Sequence, residues 1–405
     1  MPAPPHEHDH IKRRKVFYVP GFDPISPRRY RELYRREAAL QAEISQYSLT
    51  LSALKTPKGT FGWQVGTLEQ GKETHAFFEV LTWSDLVKSS MKVSVLGTYM
   101  VMLKTVWVYL STGAFRQLTK LRRGPVVAAL YPVFALLLQL IIACFASVFL
   151  AFVVSKLAPP WVGVIVGLGA GVLILRQFKK FDRYIYAYYL MQDYGYAARS
   201  YGKNPAALDQ RILEFADRVQ NALSQEYDEV LIVGHSSGAH VGIQVMAEVL
   251  RRGCDAGPAL SLLTLGHVVP MVGFLPQAHE LRRDLQYLST QKSITWIDIT
   301  APTDSCNFAL CDPVSVCVDA IGDKVWPLVI SARFGDTIDT DRLEEMKLQF
   351  FKLHLQYLCH FDTPDAYDYF LITSGPISLA ARFDQQPSSP MTIRKPLSNF
   401  RNTAN

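Results

Sequence analysis

A chain of 405 residues, 49% apolar and 19% charged, has ample material for a core and suits one large α/β domain with insertions or two ordinary domains. Its net charge of +6 includes no Arg/Lys run interleaved with aromatics outside the flanks of its apolar segments, which argues against a nucleic-acid partner and fits an anionic membrane surface. Six cysteines with no CxxC pair read as free thiols of a reducing compartment.

Residues 1–15 open on MPAPPHEHDH, which is polar and proline-rich, so a disordered tail is expected there and no secretory signal. His6, His8 and His10 offer a weak metal site or, more simply, solvated side chains. The N-terminal part of the main α/β domain is expected over residues 16–90. Val16 to Pro20 is a short strand ending at Gly21-Phe22, and Arg28 to Ile44 is a charged helix with Leu33, Leu40 and Ile44 at helical spacing. Tyr47 to Leu54 and Trp63 to Trp83 are strands, the latter turning at Gly71-Lys72.

A membrane insertion is expected over residues 91–183. Gly124 to Ser155 runs about 32 residues without a charge, above the roughly 20 that cross a bilayer. Leu157 to Leu175 is a second such run, so transmembrane spans are placed at 125–155 and 159–176. Arg116, Lys120, Arg122 and Arg123 precede the first, and Arg176, Lys179, Lys180 and Arg183 follow the second, with only Lys156 between. The positive-inside rule then makes both outer flanks cytoplasmic, in an inner or plasma membrane if the source is bacterial. Residues 91–121, with Lys92 and Lys104 inside an apolar stretch, are expected to lie in the interface with their lysines snorkelling.

Residues 184–384 return to the main α/β domain. After a Tyr-rich junction, Pro205 to Gln225 is a helix with Asn204 as its expected N-cap. Glu229 to Gly234 is a strand apolar enough to be buried on both faces, and it enters His235-Ser236-Ser237-Gly238 and a helix of small residues. Ser261 to Leu265, Ile294 to Thr300 and Leu328 to Ala332 are further buried strands, and Asp365 to Ile372 a last helix; 385–405 is expected to be a disordered tail.

Gly234-His235-Ser236-Ser237-Gly238 fits G-x-S-x-G, in which a serine at a tight strand-to-helix turn needs glycine two residues to either side. In this setting the chain, over residues 16 to 375, resembles the α/β-hydrolase superfamily. The resemblance implies a mostly parallel sheet flanked by helices, here with an inserted transmembrane hairpin, and Ser236 as nucleophile. It also implies oxyanion donors at the N–H groups of Ser237 and Phe22, although proline stands where the family often has histidine before Gly21.

The family order of serine, acid and histidine makes Asp304 the acid, with Asp312 its rival in an Asp-Pro-Val run; Asp298 lies inside a strand and reads as structural. His354, in an H-x-x-Y run, is the base, with His360 its rival; His235 and His240 read as packing residues. GTLEQGK fails as a phosphate loop, and His279-Glu280 lacks the second histidine of a zinc helix, so no metal or cofactor is expected.

The implied activity is hydrolysis of a carboxylic ester or thioester of a lipid-like substrate on the cytoplasmic face, with membrane lipids as the other partner. A triad-dependent acyltransferase and an inactive hydrolase-fold scaffold are the alternatives. Because the Phe22 loop and Ser236 must meet at one oxyanion, the chain between them must cross the bilayer an even number of times.

Overall fold

Residues 10–54, 59–253, 257–319, 322–347 and 349–403 are described by the computed structural model of the protein. Its eight strands are β1 (Arg13–Val19), β2 (Ser48–Ala53), β3 (Gly62–Glu69), β4 (Lys72–Val80), β5 (Glu229–His235), β6 (Ala259–Leu265), β7 (Ile294–Thr300) and β8 (Leu328–Ser331). They form one sheet in the order β2-β3-β4-β1-β5-β6-β7-β8, and β3 runs antiparallel to both its neighbours while the other pairs are parallel.

Side chains alternate across the strands and so build two cores. Val230 and Ile232 of β5 pack with Phe215 and Val245 on one face, and Leu231 and Val233 pack with Tyr34 and Phe370 on the other. Every residue of β5 is buried, as a central strand covered by helices on both faces requires. The fold is therefore α/β with a mostly parallel sheet flanked by helices.

β1 starts three residues earlier than its apolar run, inside the expected tail, because its charges find partners. Arg14 is fully buried on Glu229 at 2.6 Å and donates to the Gly375 and Ile377 carbonyls, each at 2.7 Å. Lys15 pairs with Glu79 at 2.9 Å. His6 and His8 lie outside the described residues, and the His10 ring meets the Glu73 carbonyl.

The expected C-terminal tail is also ordered through residue 403. It has no hydrophobic period, yet its backbone straps the molecule: Ile393 exchanges hydrogen bonds with Leu310 and Asp312, and Ser389 N–H donates to Val329. Asn204 does not cap its helix, which runs Ala206–Leu223; its amide donates instead to Asp209 and Gln244. The Tyr-rich junction contains a helix, Ala187–Ala198, and the expected last helix runs Tyr369–Ser374, capped by Asp368, with a short helix, Leu379–Arg382, after it.

Two helices, Arg123–Ser155 and Pro160–Lys180, are long and apolar enough to cross a membrane. They pack against each other closely where small residues meet: a Cβ on Gly163, Gly167 or Gly171 would come within 2.2–2.4 Å of Ser155 or Ser147 atoms. A shorter pair, Ser84–Met91 and Val95–Ser111, is bent by 105° at its break. The side chain of Lys179 donates to the Val93 carbonyl and ties the second long helix to this bent pair.

Candidate active site

The sheet topology decides where a site can form. β1 and β5 are parallel neighbours, but the chain leaves β1 toward one edge of the sheet and leaves β5 toward the other. A crevice opens at the carboxyl ends of two such strands, where their connections diverge. The register pairs Val19 with Gly234, so Pro20-Gly21-Phe22 and His235-Ser236 emerge side by side.

Ser236 adopts φ +58°, a left-handed conformation that costs energy in a non-glycine residue and has to be enforced by its surroundings. The enforcement is visible at the two glycines. A Cβ on Gly234 would lie 2.7 Å from the Gly238 carbonyl oxygen, and one on Gly238 would lie 2.2 Å from that of Val19 and 2.5 Å from that of Pro20. These contacts are to backbone, which has no room to give. The helix Gly238–Arg251 therefore starts directly against the β1 loop. On Gly21, a Cβ would be 3.1 Å from the Cβ of Ser236 and 3.5 Å from its Oγ. Among the described residues, the backbone N–H groups of Phe22 and Ser237 have no backbone acceptor, and both residues line the cavity that Ser236 faces.

Past β7, Asp304 is buried and accepts from three directions. His354 Nδ1 lies 2.7 Å from Oδ2, the Tyr357 hydroxyl donates to the same oxygen at 3.2 Å, and the Cys306 N–H donates to Oδ1 at 2.8 Å. Burial alone would raise this carboxyl, but the neighbouring His354 and these hydrogen bonds outweigh it and hold it below its usual range. Tyr357 is itself fixed, accepting from Ala301 N–H at 2.9 Å and from the Asn307 amide at 3.0 Å. Among the described residues, the buried His354 Nε2 has no hydrogen-bond partner, Ser236 included. Ser236 and His354 line one cavity of about 930 Å³, along with apolar side chains that include Trp83, Leu208, Met271 and Phe351.

The rival residues are engaged elsewhere. Asp312 caps the short helix Pro313–Cys317 and pairs with Lys324 at 2.7 Å. His360 lies 2.7 Å from Glu37 and 2.8 Å from Arg342. Asp298 accepts from the Thr264 hydroxyl inside the sheet. His235 and His240 are buried, and desolvation lowers them to about 3 and about 4, so both stay neutral. The His235 Nε2 lies 3.0 Å from the His354 carbonyl oxygen and so steadies the backbone that carries the paired imidazole.

Asp304, Cys306 and His354 also place possible ligand atoms within 4.8 Å of one another. An ion there would have to break the Asp304–His354 bond and draw a proton from a thiol that burial pushes well above its ordinary range. The hydrogen-bonded acid and imidazole are the simpler description. Sequence reasoning missed Asp193, which lies on the cavity wall with its carboxyl 3.4 Å from the Ser237 hydroxyl. It stands in the Tyr-rich junction, where no motif marks it.

Compared with protein-family models, with curated proteins and with solved structures, the chain matches none.

Proposed function

We propose that this protein is a membrane-anchored serine hydrolase of the α/β-hydrolase type, acting on carboxylic esters or thioesters of amphiphilic substrates. One observation carries the reading: a serine held at φ +58° on a strand-to-helix turn shares a cavity with the free Nε2 of a histidine whose Nδ1 is bound to a buried aspartate.

In this reaction Ser236 Oγ bonds to the acyl carbon as its proton passes to His354 Nε2. The N–H groups of Phe22 and Ser237 hold the oxyanion. Asp304 keeps Nδ1 protonated, so that Nε2 is the accepting nitrogen, and steadies the imidazolium that forms. His354 then returns the proton to the departing alkoxide or thiolate. Water attacks the acyl-serine by the same route, giving the free acid and restoring the hydroxyl.

The membrane parts favour a lipid-like substrate delivered from the bilayer. The helix Ala187–Ala198, which contributes Tyr189 and Asp193 to the cavity wall, follows the second membrane-length helix after one short turn. Beside it, Val95–Ser111 exposes Leu96, Met100, Leu103, Trp107 and Leu110 at spacings of three and four, a continuous apolar stripe. We place this stripe in the interface. The pairing of Val19 with Gly234, two residues before Gly21 and Ser236, requires an even number of crossings between them, which the two long helices satisfy and a third, bent span would not. The basic flanks support a site on the cytoplasmic side.

The test is labelling of the full-length protein, in detergent micelles or nanodiscs, by a fluorophosphonate probe that reports activated serines. Labelling of the wild type and its loss in Ser236→Ala are expected. Well-folded wild-type protein that takes no label would overturn the enzyme reading and leave the inactive scaffold.

A further inference from the structure

Asp193 is a carboxyl inside the catalytic cavity that the chemistry above leaves unused. It sits in the helix Ala187–Ala198, its carboxylate oxygen 3.4 Å from the hydroxyl of Ser237, the residue whose N–H would hold the oxyanion. It has no ion-pair partner among the described residues. The titratable groups that face it are Tyr109 from Val95–Ser111, Tyr189 and Tyr194 from its own helix, Cys306 from the loop after β7, and His354. Burial raises the three phenols and the thiol above their ordinary ranges, so they stay neutral, and His354 alone could offer Asp193 a positive charge.

Burial pushes Asp193 up to about 7, against the smaller downward pulls of the Ser237 hydroxyl and His354. It would then cross between acid and carboxylate near neutral pH. The two forms have opposite consequences. The neutral acid sits against Ser237 without opposing charge that builds on the acyl oxygen. The carboxylate puts a negative charge next to the residue that must bind an oxyanion, and like charges at such close range repel.

We propose that Asp193 regulates this site, leaving the oxyanion position beside Ser237 unopposed in its neutral form and shutting acyl transfer down when it ionises. The proposal rests on the serine-hydrolase reading and adds a regulatory role for the segment that follows the membrane hairpin.

The rate of fluorophosphonate labelling of Ser236, measured from pH 5.5 to pH 9 on the full-length protein in nanodiscs, tests it. For the wild type the rate should fall above about 7, by roughly tenfold per pH unit. In Asp193→Asn the amide cannot ionise, and the alkaline fall should vanish. Ser237→Ala keeps its N–H but loses the hydroxyl that pulls the carboxyl down, so its alkaline fall should move to higher pH, and this second variant decides the matter if the first does not fold. An unchanged alkaline fall in folded Asp193→Asn would overturn the proposal. So would loss of labelling at every pH in that variant, which would mean that the carboxylate itself is needed. A wild type that takes no label at any pH would instead sink the serine-hydrolase reading on which this one stands.

Discussion

At the scale of single residues, the proposed reaction depends on Asp304 being an ionised acceptor. Its Oδ2 receives the His354 Nδ1–H and the Tyr357 hydroxyl, and its Oδ1 receives the Cys306 N–H. Asn at this position would fill the same space but present an amide donor to Nδ1. The imidazole would then carry its proton on Nε2, the nitrogen that must accept from Ser236. Asp304→Asn should therefore lower turnover of an ester reporter by about 10⁴-fold with little loss of fold, whereas Asp312→Asn should leave turnover within a few-fold of wild type. Steady-state hydrolysis alongside circular dichroism of both variants checks this. Equal losses in the two would mean that Asp304 has no special place. Much of this was legible in the order of residues. G-x-S-x-G carries a local geometric demand that survives as a sequence pattern, whereas Asp304 and His354 were reached through the residue order that the resemblance implies. Asp193 carried no such sign, because its meaning comes from a cavity that only tertiary packing creates.

At the scale of elements, apolar runs and helical periodicity announced most strands and both membrane-length helices, since those elements are made by burial. The misses share one cause, which is that partners distant in sequence stabilised what local chemistry disfavoured. Arg14 could join β1 because Glu229 and two C-terminal carbonyls wait for it, and residues past Gln385 were ordered by backbone bonds to Leu310, Asp312 and Val329. The hairpin's internal contact is a case where sequence showed the composition but not the register. Gly167 faces the other helix so closely that a Cβ would stand 2.4 Å from the Ser147 carbonyl oxygen, whereas Gly169, half a turn away, has nothing within 4 Å. Gly167→Leu should accordingly lose about 1–3 kcal/mol of stability from overpacking, while Gly169→Leu should be tolerated. Thermal unfolding of both variants in detergent separates them, and equal effects would argue that the helices do not pack through this face.

At the scale of the whole molecule, the placement of the membrane and the assembly of the site are one problem. Gly21 and Ser236 each follow by two residues a paired position of neighbouring strands, Val19 and Gly234, although about 215 residues separate them, and both membrane-length helices lie in the interval. A bilayer cannot pass between neighbouring strands of one sheet, so an even number of full crossings is the only arrangement that leaves the site intact. The bent pair Ser84–Met91 and Val95–Ser111 must then stay on one side, consistent with the Lys179 side chain bonding to Val93 and with the one-sided stripe from Leu96 to Leu110. Single cysteines introduced at Arg116, Ala158, Arg183 and Gln385 and probed with a membrane-impermeant maleimide, above the background of native thiols, convert this into a measurement. Positions 116, 183 and 385 should label only when the cytoplasmic side is opened, and 158, in the turn between the helices, should label from the opposite side. If Arg116→Cys and Arg183→Cys reported opposite sides, the chain would cross an odd number of times between them. The β1 loop and the serine could not then share a compartment, and the catalytic reading would fail with the topology.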